Sequence, residues 1–247
     1  LSGWIQSWIV GTQALVEQDK SYWDATGNST IGSCLSDVIW MLDPNQDKKN
    51  VSDEKFSSQL VNNLKQGKKQ KLVIYGTSLS TNEIGSMWVK ELDKRLNDLY
   101  DNRLEVCNQG QSGQHSEWAL QNLKERVLDL NPNTVILEFT ANDAVERFNI
   151  SPAQCKANPE AMIKQIREML PNCEIILHTP CGMPAIEGLT ATPRPKLNEY
   201  NDVYKDLAKK NNFIWIDESI EFKDLGEKKS IEEYKKYQTD GVHPTQR

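Results

Sequence analysis

Lys71-Leu72-Val73-Ile74-Tyr75-Gly76-Thr77-Ser78-Leu79-Ser80 is the stretch on which the reading of this chain turns. A short apolar run, rich in β-branched and aromatic residues, halts at a glycine and passes into small polar residues. It predicts a buried strand over 71–75 and a sharp strand-to-helix turn. On such a turn the Ser78 hydroxyl and its backbone N–H can both face a cleft. The same serine is equally suited to capping the helix that follows, so the turn alone does not assign a role.

Working outward, the pattern repeats. Further strands are predicted over 104–107, 134–138, 174–179 and 213–217. Helix-period stretches lie at 53–67, 84–100, 116–130, 158–170 and 195–210. Phe56, Leu60, Val61 and Leu64 show the helical spacing. Ser52-Asp53 can cap the first helix, Asn158-Pro159-Glu160 and Pro195 open two others, and Asn131-Pro132 stops the third. Strands alternating with helices in this way predict an α/β protein, a three-layer α/β/α sandwich around a five-stranded parallel sheet.

Residues 1–52 read differently. Trp4, Trp8, Trp23 and Trp40 are four of the seven tryptophans. The alternation in Trp4-Ile5-Gln6-Ser7-Trp8-Ile9-Val10 and the turn Asp43-Pro44-Asn45 predict a small β-rich extension to a domain spanning 53–247. Its tryptophans suit a sugar-stacking platform, and plain packing explains them more simply.

A chain of 247 residues is long enough to bury a sizeable core. A net charge of −6 opposes a phosphate-neutralising surface, which argues against nucleic acid as a partner. Lys68-Lys69-Gln70-Lys71, the densest basic run, leads straight into a strand and reads as a solvated connection. Apolar runs stay far below the roughly 20 residues of a membrane-spanning helix. Cys34, Cys107, Cys155, Cys173 and Cys181 are odd in number and lack metal-ligand spacing, so they fix neither a disulfide framework nor a metal site. The start at Leu1 without Met suits a processed, exported chain. Sequons at Asn28, Asn50 and Asn149 carry sugar only in a host that glycosylates.

Ligands of parallel α/β sheets sit at the carboxyl ends of strands, so the loops there are the places to look for chemistry. A serine attacks a carbonyl only if a base takes its proton, and histidine is suited to that near neutrality. Of three histidines, His178 lies inside the apolar run 175–178 and reads as structural, and His115 lies in a Gly/Gln/Ser-rich loop as a candidate substrate contact. His243 alone has a loop carboxylate close by: Asp240, three residues earlier, can return to the imidazole and fix its tautomer. Glycines in Asn108-Gln109-Gly110-Gln111-Ser112-Gly113 allow a backbone N–H to reach a ligand, and Asn142 in Phe139-Thr140-Ala141-Asn142-Asp143 offers an amide. Asn142-Asp143 is also what an ordinary turn looks like.

In order, Gly76-x-Ser78, Asn108 through Gly113, Asn142-Asp143 and Asp240-x-x-His243-Pro244 resemble the four sequence blocks of the SGNH (GDSL-like) hydrolases, over about residues 60–244. The resemblance implies a flavodoxin-like strand arrangement and ester hydrolysis with Ser78, His243 and Asp240 as triad. It implies an oxyanion hole of Ser78 N–H, Gly113 N–H and the Asn142 amide, with no metal or organic cofactor. Leu137-Glu138-Phe139 before Asn142-Asp143-Ala144, and Arg194-Pro195 before Leu197 and Tyr200, are similar to a bacterial subgroup carrying Gly-Thr-Ser-Leu, where Thr77 replaces the Asp of Gly-Asp-Ser-Leu. Thr77, His115, Asp143 and Arg194 are the expected substrate contacts. The implied substrate is a short acyl ester on carbohydrate, above all O-acetyl. Lipid or lysophospholipid esters, acyl transfer to a sugar hydroxyl and an inactive carbohydrate-binding protein are the alternatives. Relatives usually continue into a closing helix after His-Pro. With the chain ending at Arg247, the expectation is that further residues or the Trp-rich segment cover the apolar edge.

Overall fold

β1 (Gln70–Gly76) and β3 (Thr134–Glu138) carry almost unbroken buried runs, as strands covered on both faces must. With β2 (Leu104–Asn108), β4 (Glu174–Thr179) and β5 (Ile214–Asp217) they form one parallel sheet in the order β2-β1-β3-β4-β5. The computed structural model describes residues 58–81, 85–180, 192–218 and 240–243.

Alternation along each strand sorts the side chains into two cores. Val73, Tyr75, Val135, Leu137, Ile175 and Leu177 face one side. There they meet α4 (Ser116–Arg126), α6 (Pro152–Met169) and α7 (Leu197–Asn211). Leu72, Ile74, Ile136, Ile176, Ile214 and Ile216 face the other side, against α1 (Gln59–Lys65) and α3 (Met87–Leu99). The result is the three-layer α/β/α sandwich with the flavodoxin-like strand order. Two one-turn helices, α2 (Ser78–Thr81) and α5 (Thr140–Asp143), follow directly on β1 and β3. β2, at the edge, buries only Leu104 fully, whereas every residue of β3 is buried.

Several boundaries differ from the sequence expectation. The helix expected from 158 begins at Pro152, where Ser151 and Gln154 form a reciprocal capping box. Pro159 is therefore inside α6, buried, and opens nothing. Asn158 instead donates to Ser116 Oγ at 2.9 Å, linking α6 to the start of α4. The stretch 116–130 divides into α4 and a 3₁₀ turn over Leu128–Leu130, ended by Asn131 in the left-handed region. The first described helix is capped by Ser58, whose hydroxyl also donates to Glu174. α7 starts at Leu197, two residues after Pro195, and β5 starts at Ile214 instead of residue 213. Ser52-Asp53, the Trp-rich stretch 1–52, Cys34, Cys181 and the residues after His243 lie outside the described residues. Cys107, Cys155 and Cys173 are free thiols. Among the described residues no helix is long and apolar enough to cross a membrane.

Candidate active site

The turn after β1 is held from three directions. Thr77 Oγ1 accepts the Leu79 N–H at 3.3 Å, Trp88 Nε1 donates to Leu79 O at 2.9 Å, and Asn108 Nδ2 donates to Ser80 O at 2.6 Å. Gln111 N–H donates to Gly76 O at 2.9 Å, so the loop after β2 continues along the end of β1. Ser78 is the first residue of α2, and its side chain stays partly exposed between these anchors.

Opposite it lies the loop 240–243. Asp240 Oδ1 accepts the backbone N–H of Val242 at 2.9 Å and of His243 at 2.8 Å, the side-chain-to-backbone turn that favours Asp at such a position. Val242 is buried in the larger core and ties the loop to the sheet. Asp240 Oδ2 stands 2.6 Å from His243 Nδ1, and His243 Nε2 stands 2.8 Å from Ser78 Oγ. Burial alone would raise the Asp240 carboxyl, but the His243 ring and the two backbone N–H groups outweigh it and hold the group below its ordinary value. Asp240 is thus an anion at neutral pH, so Nδ1 carries the proton and Nε2 is free to accept from the serine.

The third side comes from the loops after β2 and β3. Gly113 has φ +74, a left-handed conformation that most side chains resist. Asn142 Nδ2 donates one hydrogen to Gln114 O at 2.8 Å, and its Oδ1 accepts from Arg194 Nη2 at 3.4 Å. These contacts decide which way the amide faces and leave a second N–H over.

A family model of GDSL-like lipases and acylhydrolases matches residues 74–247. The chain belongs to the GDSL-like lipase/acylhydrolase family. As a member it is an ester hydrolase, and solved structures share its architecture. A lipase/acylhydrolase from Enterococcus faecalis is 25% identical with a TM-score of 0.59, covering 72% of this chain and 88% of that one. An acetylxylan esterase from Geobacillus stearothermophilus is 20% identical with a TM-score of 0.60 over the same shares. A hydrolase described as LAE5, from the metagenome of Lake Arreo in Spain, is 20% identical with a TM-score of 0.59 over 72% of this chain and 88% of its own. No curated protein sequence matches the chain.

Within this GDSL-like hydrolase, three of the four expected substrate contacts have other occupations. Thr77 is wholly buried against Glu138, to which its N–H and hydroxyl both donate. Asp143 is buried, and its Oδ1 accepts the Ser116 N–H at the start of α4 at 2.8 Å, where the helix end favours an anion. Burial nonetheless pushes its carboxyl up, more than that N–H pulls it down. Arg194 is buried too. Its Nε donates to Ala141 O at 2.5 Å and its Nη1 to Thr192 O at 2.9 Å. Burial brings its guanidinium down to about 10, so it stays a cation at neutral pH. These three hold the walls of the site. His115 alone remains partly exposed, its ring 5.2 Å from that of Phe148.

Of the groups behind the turn, the sequence marked His178 as structural and gave Glu138 and Glu218 no role. Glu138, at the end of β3, is fully buried. His178 and Glu218, also buried, lie close by with His178 Nε2 2.9 Å from Glu218 Oε1. The readable signal was a lone acid in an otherwise apolar run, Leu137-Glu138-Phe139. Among the described residues no group of three or more His, Cys, Asp or Glu side chains converges as a metal site would.

Proposed function

We propose that this hydrolase cleaves short acyl esters, above all O-acetyl groups on carbohydrate, through Ser78, His243 and Asp240, with the hydrolase domain in 53–247 and residues 1–52 an extension to it. The observation that carries the reading is the hydrogen-bonded line from Asp240 Oδ2 through the imidazole to Ser78 Oγ, at 2.6 and 2.8 Å. His243 Nε2 takes the hydroxyl proton as Ser78 Oγ bonds to the ester carbon, and the carbonyl electron pair moves onto oxygen. The imidazolium, stabilised by Asp240, returns its proton to the departing alcohol as the C–O bond breaks. Water then attacks the acyl-serine by the same route in reverse and frees the acid.

The tetrahedral oxygen needs donors, and the Ser78 N–H, the Gly113 N–H and the remaining Asn142 N–H are the ones this reading assigns. The acetyl and sugar specificity draws support from the shared fold with the acetylxylan esterase.

Assays of acetylated oligosaccharides and long-chain lipid esters, with wild type and Ser78→Ala, test both parts. The expected result is acetate release from the oligosaccharides, little turnover of the lipid esters, and loss of activity in Ser78→Ala. A Ser78→Ala protein that still turned over ester would sink the nucleophile assignment. Preference for long acyl chains would sink the substrate class.

A further inference from the structure

Gly76 at the end of β1 is paired in register with Glu138 at the end of β3, which brings the acid's side chain directly behind the Gly-Thr-Ser-Leu turn. One carboxyl oxygen, Oε2, accepts both the Thr77 N–H at 3.1 Å and the Thr77 hydroxyl at 2.8 Å. Thr77 Oγ1 in turn accepts the Leu79 N–H, so the carboxyl grips the residues on both sides of Ser78 through a single threonine. The approach is close enough that a Cβ on Gly76 would stand 3.0 Å from Glu138 Oε2 and 3.1 Å from Glu138 O. A side chain at 76 would press on both the carboxyl and the β3 backbone, which favours glycine here.

A wholly buried carboxyl is an expensive way to fill space, because an apolar side chain of similar size carries no desolvation cost. Its pKa reflects that cost: burial pushes it up to about 7, against the pull of His178 and of the two Thr77 hydrogen bonds. The name of the family spells a motif with Asp immediately before the serine, and this chain has Thr at that position.

We propose that Glu138 is a positioning residue of the nucleophile turn, supplying from β3 the carboxyl group that the Gly-Asp-Ser-Leu form of the motif carries at position 77. The inference rests on the reading of Ser78 as the nucleophile. Neither Glu138 nor Thr77 reaches the surface, so neither touches substrate. Their contribution is the direction in which the Ser78 hydroxyl and N–H point.

Steady-state kinetics and melting temperatures of Glu138→Gln, Glu138→Leu, Thr77→Asp and the double variant Thr77→Asp/Glu138→Gln, beside wild type and Ser78→Ala, test it. Thr77→Asp restores the commoner motif residue, yet here it sets two carboxyls against each other, and one must stay protonated or move away. Its kcat is expected to fall about tenfold or more with KM nearly unchanged, and the double variant to recover to within about threefold of Glu138→Gln, a coupling that independent sites do not show. Glu138→Gln keeps an acceptor for Thr77 and should lose less than about tenfold in kcat, whereas Glu138→Leu should lose about thirtyfold or more, again with KM little changed.

Should Thr77→Asp not fold, the Glu138→Leu and Glu138→Gln pair decides the matter: equal kcat values overturn the proposal. So does a Thr77→Asp protein as active as wild type, or a double variant no better than Thr77→Asp. With Ser78→Ala inactive, those outcomes remove the inference and leave the nucleophile in place. An active Ser78→Ala protein removes both.

Discussion

Asp240 holds His243 twice, taking its backbone N–H on Oδ1 at 2.8 Å and its ring Nδ1 on Oδ2 at 2.6 Å. One carboxylate thereby fixes where the residue sits and how its ring is turned. The two functions separate under substitution. Asn at 240 keeps an oxygen for the backbone but loses the charge and presents a wrongly matched group to Nδ1. Asp240→Asn should lower kcat by about a thousandfold or more with a nearly unchanged fold, as a wrong tautomer does in other serine hydrolases. Asp240→Ala should lower the melting temperature as well. Kinetics and thermal melts of the pair check this, and similar melting temperatures for both would show that the backbone bonds contribute little.

Asn142→Ala is expected to lower kcat by about a hundredfold to a thousandfold, the usual effect of losing one donor to the oxyanion. Because Asn142 also donates to Gln114 O, the substitution leaves a carbonyl without its partner and should cost about 1–3 kcal/mol of stability. Chemical denaturation alongside the kinetics reads both effects.

Arg194→Met removes the guanidinium that reaches Ala141 O and Asn142 Oδ1 while keeping much of the side chain's bulk. Since Arg194 is buried, the loss should appear in kcat, by about tenfold, through a loosened Asn142 amide. A KM that rose with kcat intact would return Arg194 to the role of substrate contact.

Glu138 predicts a dependence of stability on pH. With its carboxyl at about 7 in the folded protein against an ordinary 4.5, the folded state binds the extra proton between those values. Stability from this group is full below the lower value and is lost as pH rises through the upper one. His178 on β4, Glu218 after β5, and Arg194 and Tyr204 from the α7 side face this carboxyl in wild type, and Glu138→Gln keeps all four while removing the group that titrates. Wild type should therefore gain melting temperature relative to Glu138→Gln as pH falls from about 8 to about 5. A difference that stayed flat over that range would mean that Glu138 does not titrate there.

The sheet was legible because its central strands are buried on both faces and read as unbroken apolar runs. Strands β3 and β4 fall where the spacing put them, and the ends of the edge strands shift by one residue. The start of α6 was misplaced for a local reason: Asn158-Pro159 imitates a helix opening, while the true one, Ser151-Pro152-x-Gln154, lies a few residues earlier and was equally readable. Ser78, Asp240 and His243, which lie within hydrogen-bond reach of one another, could be picked out because the proposed chemistry demands particular residue types in loops at strand ends. Glu138, Arg194 and Asp143 could not be assigned in the same way. A buried acid and an exposed one look alike in a sequence, and only the register between β1 and β3 reveals which this is.

Asn142 and Asp143 are consecutive residues, and they seize the facing loop at two places, Gln114 O and Ser116 N. A segment clamped at two points cannot pivot about either. The gap between the end of β3 and the loop after β2 thus behaves like a caliper with locked jaws, its width fixed by the span of one dipeptide. Because Ser116 opens α4 and its hydroxyl accepts from Asn158 of α6, the starts of both helices are tied to that same setting.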